Sequence, residues 1–196
     1  MGSSNNDGNY DVTIGGSSEK TDLSDALVTI FDQAYTGRPI TPEQMVVSLG
    51  NTRLQLGKDF KALYENNVDV GTATVYIIGT GKYIGMAQGT FNIIKAKNPV
   101  NIVKKTIKVK AKSLKKKNLT VAPLKVIGAQ GGKSFKAVKW NAKAKKALKL
   151  NKKTGKITIR KGTRKSTFRV KVKVTAKGNA SYLAQKRNVT VTIRVR

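Results

Sequence analysis

Gly128-Ala-Gln-Gly-Gly-Lys-Ser134 carries the residue types of a phosphate-cradling loop: glycines that open the backbone, a lysine for anionic oxygens and a serine for Mg²⁺. The spacing is wrong for that chemistry. The pattern required is G-x-x-x-x-G-K-[ST], and the position where its first glycine belongs, 127, is Ile. An acid further along would also be needed to hold Mg²⁺, and none follows Asp69. A glycine turn between strands is expected instead. Gly79-Thr-Gly-Lys-Tyr-Ile-Gly85 likewise misses the dinucleotide-binding spacing and is expected to open no helix.

Acid–base and metal chemistry fare no better. The chain has no His and no Cys, which excludes disulfides, Cys or His metal sites, and any Ser-His or Cys-His catalytic pair. The remaining candidates are Asp22 with Asp25, and Asp59 with Glu65 and Asp69, as weak Ca²⁺ ligands. They lack the spacing of a Ca²⁺ loop and are expected to be solvated turn residues. A spontaneous Lys–Asn isopeptide bond needs a buried acid, which the second half of the chain cannot supply. The sequence therefore predicts a protein that is not an enzyme, with no catalytic residue, no bound metal and no cofactor.

Charge is the feature with functional weight. All ten acids lie between Asp7 and Asp69, and from Val70 to Arg196 there is no carboxylate side chain. Residues 1–94 hold six Lys/Arg against ten acids, a net −4, whereas residues 98–196 hold 31 Lys/Arg and no acid. Halves so unlike are not expected to share one core. Alternate residues of a strand stand about 6.6–6.8 Å apart on one face. Arg169, Lys171 and Lys173 should therefore form a row of cations, and Arg194 with Arg196 a shorter one. Lys115, Lys116, Lys117, Lys143, Lys145, Lys146, Lys152, Lys153, Arg164 and Lys165 are expected to add charge on loops. Together these residues are the candidate polyanion-binding set, because uncompensated charge of this size repels itself and is stabilised by an anionic surrounding. The alternative is a nucleic-acid-binding protein. That function ordinarily interleaves stacking aromatics with the basic residues, and here Phe135, Trp140 and Phe168 fall at core-like positions, with Tyr182 in a bend. A third reading is that the lysines only keep a β protein soluble and protect its edges.

The elements that must position these side chains read as strands throughout. Residues 1–22, rich in Gly, Ser, Asn and Asp, form a flexible leader or docking tail, with too little apolar area to offset ordering entropy. Residues 23–96 form one slightly acidic sandwich. Its strands are expected at Leu27–Phe31, Met45–Leu49, Phe60–Tyr64, Thr72–Ile78 and Thr90–Ile94, separated by Pro and Gly turns. A linker is expected over Lys95–Val100, around Pro99. Residues 97–196 form a second, Lys-rich sandwich. Phe168-Arg-Val-Lys-Val-Lys-Val174 is apolar at every even position, and Val189–Arg196 alternates with the opposite parity. Phe135–Trp140 is expected as a strand whose tryptophan anchors the core, and helical periodicity is absent. A weak internal repeat links the halves: an alternating strand, a glycine (Gly81, Gly178), a tyrosine (Tyr83, Tyr182), Ala-Gln (Ala87-Gln88, Ala184-Gln185) and a closing strand. Each tyrosine is expected to plug an open end of its sandwich. The fold class expected is all-β: two tandem immunoglobulin-like sandwiches behind a flexible leader.

These turn and core motifs carry a resemblance. Tyr35-Thr-Gly-Arg-Pro-Ile-Thr-Pro42, Gly57-Lys-Asp-Phe60, Tyr64-Glu-Asn-Asn67, Val70–Val75, Gly79–Tyr83 and Thr90-Phe-Asn-Ile93 resemble a bacterial Ig-like repeat, of the kind found in surface proteins of Gram-positive bacteria. Ala111–Lys117, Leu150–Ile157 and Gly178–Tyr182 are similar to the Lys-rich modules that follow such repeats. Related sandwiches also decorate the phages of these bacteria. The resemblance spans about residues 25–196 and implies a spacer, adhesive or display module with no catalytic residue to carry over. It places the protein outside the cell, on a bacterial surface or a phage virion. The partner implied is a polyanionic surface (a cell-wall polymer, an acidic glycan or a capsid), or nucleic acid under the alternative, within what could be a symmetric assembly. No run of the chain reaches the length of apolar sequence that spans a membrane. With no signal peptide or wall anchor in the sequence, the expectation is either a piece of a larger exported protein or a virion protein assembled without secretion.

Overall fold

The computed structural model describes residues 19–196. Most of the leader expected at 1–22 lies outside the described residues. Its last part does not: Thr21–Asp22 forms a short strand, β1.

The first sandwich continues with β2 (Leu27–Ile30), β3 (Gln33–Ala34), β4 (Met45–Leu49), β5 (Thr52–Leu54), β6 (Phe60–Glu65), β7 (Gly71–Gly79), β8 (Tyr83–Ile84) and β9 (Met86–Ile94). A three-stranded sheet runs β2-β4-β5 and a four-stranded sheet β3-β9-β7-β6, while β1 pairs with β8. Period-two alternation sets the core. Ala73, Val75 and Ile77 of β7 are completely buried, and Val75 and Ile77 share a core with Val47, Leu54 and Phe60 from the other strands. Tyr83 is buried in the same core, as its expected plugging role requires.

The second sandwich contains β10 (Asn101–Lys104), β11 (Ile107–Val109), β12 (Leu119–Val121), β13 (Leu124–Ile127), β14 (Lys133–Lys139), β15 (Leu148–Leu150), β16 (Ile157–Ile159), β17 (Ser166–Ala176) and β18 (Gln185–Val195). A three-stranded sheet runs β12-β16-β15 and a four-stranded sheet β11-β18-β17-β14, with β10 and β13 as a separate antiparallel pair. Phe168, Val170, Val172 and Val174 of β17 point inward at even positions, and Val191, Ile193 and Val195 of β18 at odd ones. They pack on Ile157 and Ile159. The opposed parities follow from the antiparallel register, in which Val170 faces Val191 and Val172 faces Val189.

The fold is thus an all-β pair of immunoglobulin-like sandwiches, each a three-stranded sheet against a four-stranded one. Both share a closure that residue alternation does not reveal: a short early strand runs parallel to the last one, β3 along β9 and β11 along β18. By spatial proximity, the described residues fall into two compact units, one of 19–31, 42–65 and 74–91, the other of 32–41, 66–73 and 92–196.

The expectation of no helix is corrected. Ala142–Ala147 is an α-helix, α1, and Ala111–Leu114 is a 3₁₀ turn. Two turns are too few for periodicity to show. The local signal was Asn141, whose side chain accepts from the Ala144 N–H at 2.8 Å as an N-cap. The segment expected as a linker is pinned as well. Asn98, 2% exposed, accepts from the Gln130 N–H at 2.9 Å and donates to the carbonyls of Gln130 and Leu183 at 3.0 and 3.2 Å. A buried amide so fully satisfied fixes the backbone around it.

Candidate polyanion-binding surface

Four of the acids accept hydrogen bonds locally. Asp22 accepts from the Ser24 N–H at 2.8 Å, Asp59 from the Gln55 N–H at 2.9 Å, and Asp32 from the Asn92 amide at 3.2 Å. Glu65 accepts from the Tyr76 hydroxyl at 3.2 Å. These are turn and cross-strand bonds, not a convergent site. Among the described residues no three His, Cys, Asp or Glu side chains are placed to hold a metal ion.

The phosphate-loop lookalike has a steric explanation. Residues 128–132 join β13 to β14, and Gly131 sits at φ +74°, where a Cβ would run into the backbone carbonyl of Gly178. The Gly178 N–H in turn donates to the Gln130 carbonyl at 3.2 Å. Gly131 is required by the close approach of two loops.

Two groups of basic residues are brought together. The first is the outward face of the four-stranded sheet. Because β17 buries its even positions, Arg169, Lys171 and Lys173 stand on the outer face, Lys173 half-buried and the other two exposed. The row expected from sequence is there, and register widens it. Lys173 lies directly opposite Lys136 of β14, and Lys171 opposite Lys139 across an irregularity in that strand. On the far side Arg194 of β18 stands beside Lys108 of β11, and Lys186 lies opposite Thr175. Arg196 follows the end of β18, its backbone N–H donating to the Val109 carbonyl at 2.9 Å. Lys108, Lys136, Lys139 and Lys186 were missed in the sequence because no alternation within one strand reveals which neighbour a cation will face. The three-stranded sheet differs: its outward positions are Thr120, Thr158 and Lys149, with the two threonine hydroxyls 2.9 Å apart.

Like charges directly opposite each other in a sheet are destabilising, by roughly 0.2–1 kcal/mol per pair. Lys136–Lys173 and Lys139–Lys171 are two such pairs, separated in the ladder by Ala137–Val172. No side-chain carboxylate after Asp69 can relieve them from within this sandwich.

The second group gathers around α1 and the β16–β17 connection. Lys143 and Lys146 of the helix, with Arg164 and Lys165 of the loop, line a cleft of about 510 Å³ together with Arg160 and Lys161. Lys143, Lys145 and Lys146 are therefore helical and not loop residues, and Lys146 in the last turn also suits the negative end of the helix. Lys115, Lys116 and Lys117 follow the 3₁₀ turn, and Lys152 and Lys153 lie in the β15–β16 turn. All five are exposed and outside both groups.

In the second sandwich Phe135 and Phe168 point inward, 5% and 3% exposed, and Tyr182 is half-buried. Trp140, expected within a strand, follows the end of β14 and packs half-buried on the core. Its Nε1 is buried without a hydrogen-bond partner.

No protein-family model matches the chain, and no curated protein does. Solved structures match the chain at low identity. Extracellular cadherin domains 3–6 of protocadherin gamma B2 match 87% of this chain and 50% of their own, at 12% identity and a TM-score of 0.44. Domains EC1–2 of human mucin-like protocadherin match 87% of this chain and 98% of their own, at 11% identity and a TM-score of 0.45. Domains EC1–4 of Drosophila N-cadherin match 90% and 48%, at 12% identity and a TM-score of 0.35. The chain spans half or less of the two protocadherin gamma B2 chains that it matches.

Proposed function

We propose that the protein is a non-catalytic structural and binding protein of an outer surface. Its Lys-rich sandwich, residues 97–196, docks electrostatically on a polyanion, and the sandwich of residues 23–96, whose six acids balance its six Lys/Arg, is presented by it. The outward face of the β11-β18-β17-β14 sheet carries this reading. There, Lys136 opposes Lys173 and Lys139 opposes Lys171 with no acid among them. Solubility alone needs lysines on outward positions, but not in directly opposed pairs that cost stability. An anionic polymer lying across the sheet removes that cost and gains from counterion release. The inward-pointing aromatics favour a polyanion recognised by charge over a nucleic acid recognised by base stacking. The resemblance of the turn motifs to bacterial Ig-like repeats supports a bacterial cell surface or a phage virion as the location, with cell-wall polymer, acidic glycan or capsid as the anionic partner.

Retention of the full chain on an immobilised polyanion tests this. Elution should move steeply with salt, and the quadruple variant Lys136→Gln, Lys139→Gln, Lys171→Gln, Lys173→Gln should elute at clearly lower salt. Retention insensitive to salt, or unchanged in the variant, would reject the docking face.

A further inference from the structure

The cleft between α1 and the β16–β17 connection has a different character from the sheet face. Its wall is a constructed loop, tied to other parts of the fold by three successive backbone N–H groups and closed by one internal bond. The Arg160 N–H donates to the Ala147 carbonyl at 2.9 Å, and the Lys161 N–H to the Asn118 side chain at 2.8 Å. The Gly162 N–H donates to the Leu114 carbonyl at 2.8 Å, and within the loop the Thr163 hydroxyl donates to the Arg160 carbonyl at 2.7 Å. Gly162 supplies the φ of +76° that the turn needs. Charged side chains are thus mounted on a backbone held at three points before any ligand arrives, which lowers the ordering cost of binding.

Six cations line this cleft, Lys143, Lys146, Arg160, Lys161, Arg164 and Lys165, and its volume of about 510 Å³ falls within the range of small-molecule sites. Low-dielectric walls focus such a field. The floor is apolar where Ala147 and the buried Phe168 line it, and the half-buried Ser166 adds a hydroxyl. Phe168 presents almost no ring surface, so no base can stack on it.

We propose that this cleft is a specific site for a phosphate group carried on a polyol or sugar. A phosphate monoester approaches two negative charges at neutral pH and offers several acceptor oxygens. A carboxylate or a sulfate ester brings one charge to the same six cations. Two arginines supply planar forks suited to phosphate oxygens. The proposal rests on the polyanion reading above, because it assigns to the cleft the gripping of a terminal phosphate monoester while the sheet face holds the body of the polymer by charge alone.

An NMR titration of the full chain with glycerol 3-phosphate, at constant ionic strength, separates the two. Amide shifts should be confined to residues 143–147 and 160–168, should saturate, and should be reversed by competing inorganic phosphate. Arg160→Gln should weaken binding about tenfold, as the loss of a charge-assisted hydrogen bond does. Lys161→Gln, at an exposed residue, gives a second reading should the first variant unfold. Arg53→Gln, on the first sandwich, should leave the affinity unchanged. The cleft is overturned by shifts that spread over the lysines without saturating, by a sulfate ester binding as tightly, or by adenosine monophosphate binding about tenfold more tightly than glycerol 3-phosphate, which would mean a base site. Salt-sensitive polyanion retention without saturable glycerol 3-phosphate binding defeats the cleft and spares the docking face. Saturable binding with salt-insensitive retention does the reverse.

Discussion

The two sandwiches solve the same packing problem with opposite surfaces. Each faces a three-stranded sheet with a four-stranded one and closes with an early strand parallel to the last. Yet in the first four of the acids are tied up in turn and cross-strand bonds, as with Asp59 on the Gln55 N–H, whereas in the second the outward ladder sets lysine against lysine. Inward positions are restricted to apolar residues by burial, so they look alike in both. Outward positions are free of that restriction, and the difference between the sandwiches lies there. Fold and function are therefore written on alternate residues of the same strands.

Adjacent residues of β17 make the sharpest test of that division. Val172 is completely buried and Lys171 exposed. Val172→Asp leaves an unpaired charge in the core and should cost about 3–5 kcal/mol, enough to lose the second sandwich's transition in urea followed by Trp140 fluorescence. Survival of that transition would mean that the inward row is not the core. Gly131→Ala comes next, at about 1–3 kcal/mol, because strain at positive φ adds to collision with Gly178. Gly162→Ala, with open space around its Cβ position, should cost less. Equal costs would show that the approach of the two loops is not what demands the glycine.

Outward substitutions should act in the other direction. Lys171→Glu replaces a like-charge pair with Lys139 by an opposite-charge one, and should stabilise the second sandwich by about 0.2–1 kcal/mol at low salt. Screening should erase the gain as salt rises. Added phosphate should likewise raise the unfolding midpoint of the second sandwich and leave the first one, which has no excess of cations, unmoved. A destabilising Lys171→Glu would mean that the opposed lysines are not under repulsion.

How much of this was legible beforehand depends on whether a feature is local. The alternating runs at 72–78, 168–174 and 189–196 name their own inward faces, so the cores and the Arg169-Lys171-Lys173 row could be read directly. The opposed partners Lys136 and Lys139 could not, since register joins residues more than thirty positions apart. Neither could the cleft: Arg160 and Lys161 join Lys143 and Lys146 only because α1 folds where alternation breaks off. The Asn141 cap was a readable sign of that helix, but two turns of Lys and Ala give no apolar stripe.

The smallest expected effect lies in the first sandwich and is set by pH. Burial first, and then the negative charge of Glu43, push the Tyr64 phenol above its ordinary value of 10.0. At Tyr76 the hydrogen bond to Glu65 and that residue's charge act in the same direction. Both shifts mean that the folded state prefers the protonated phenol. Their contribution to stability is therefore complete below pH 10.0 and is lost as pH rises through the raised values. Phenolate absorbance followed through an alkaline titration should show two tyrosines ionising late. Tyr64→Phe should remove one of them and, with it, the hydroxyl's bond to the Pro42 carbonyl at 3.1 Å. If the variant instead removes an early-ionising tyrosine, Tyr64 is not held in the first sandwich as described, and the contrast between locally bonded polar groups there and unrelieved charge in the second loses one of its two sides.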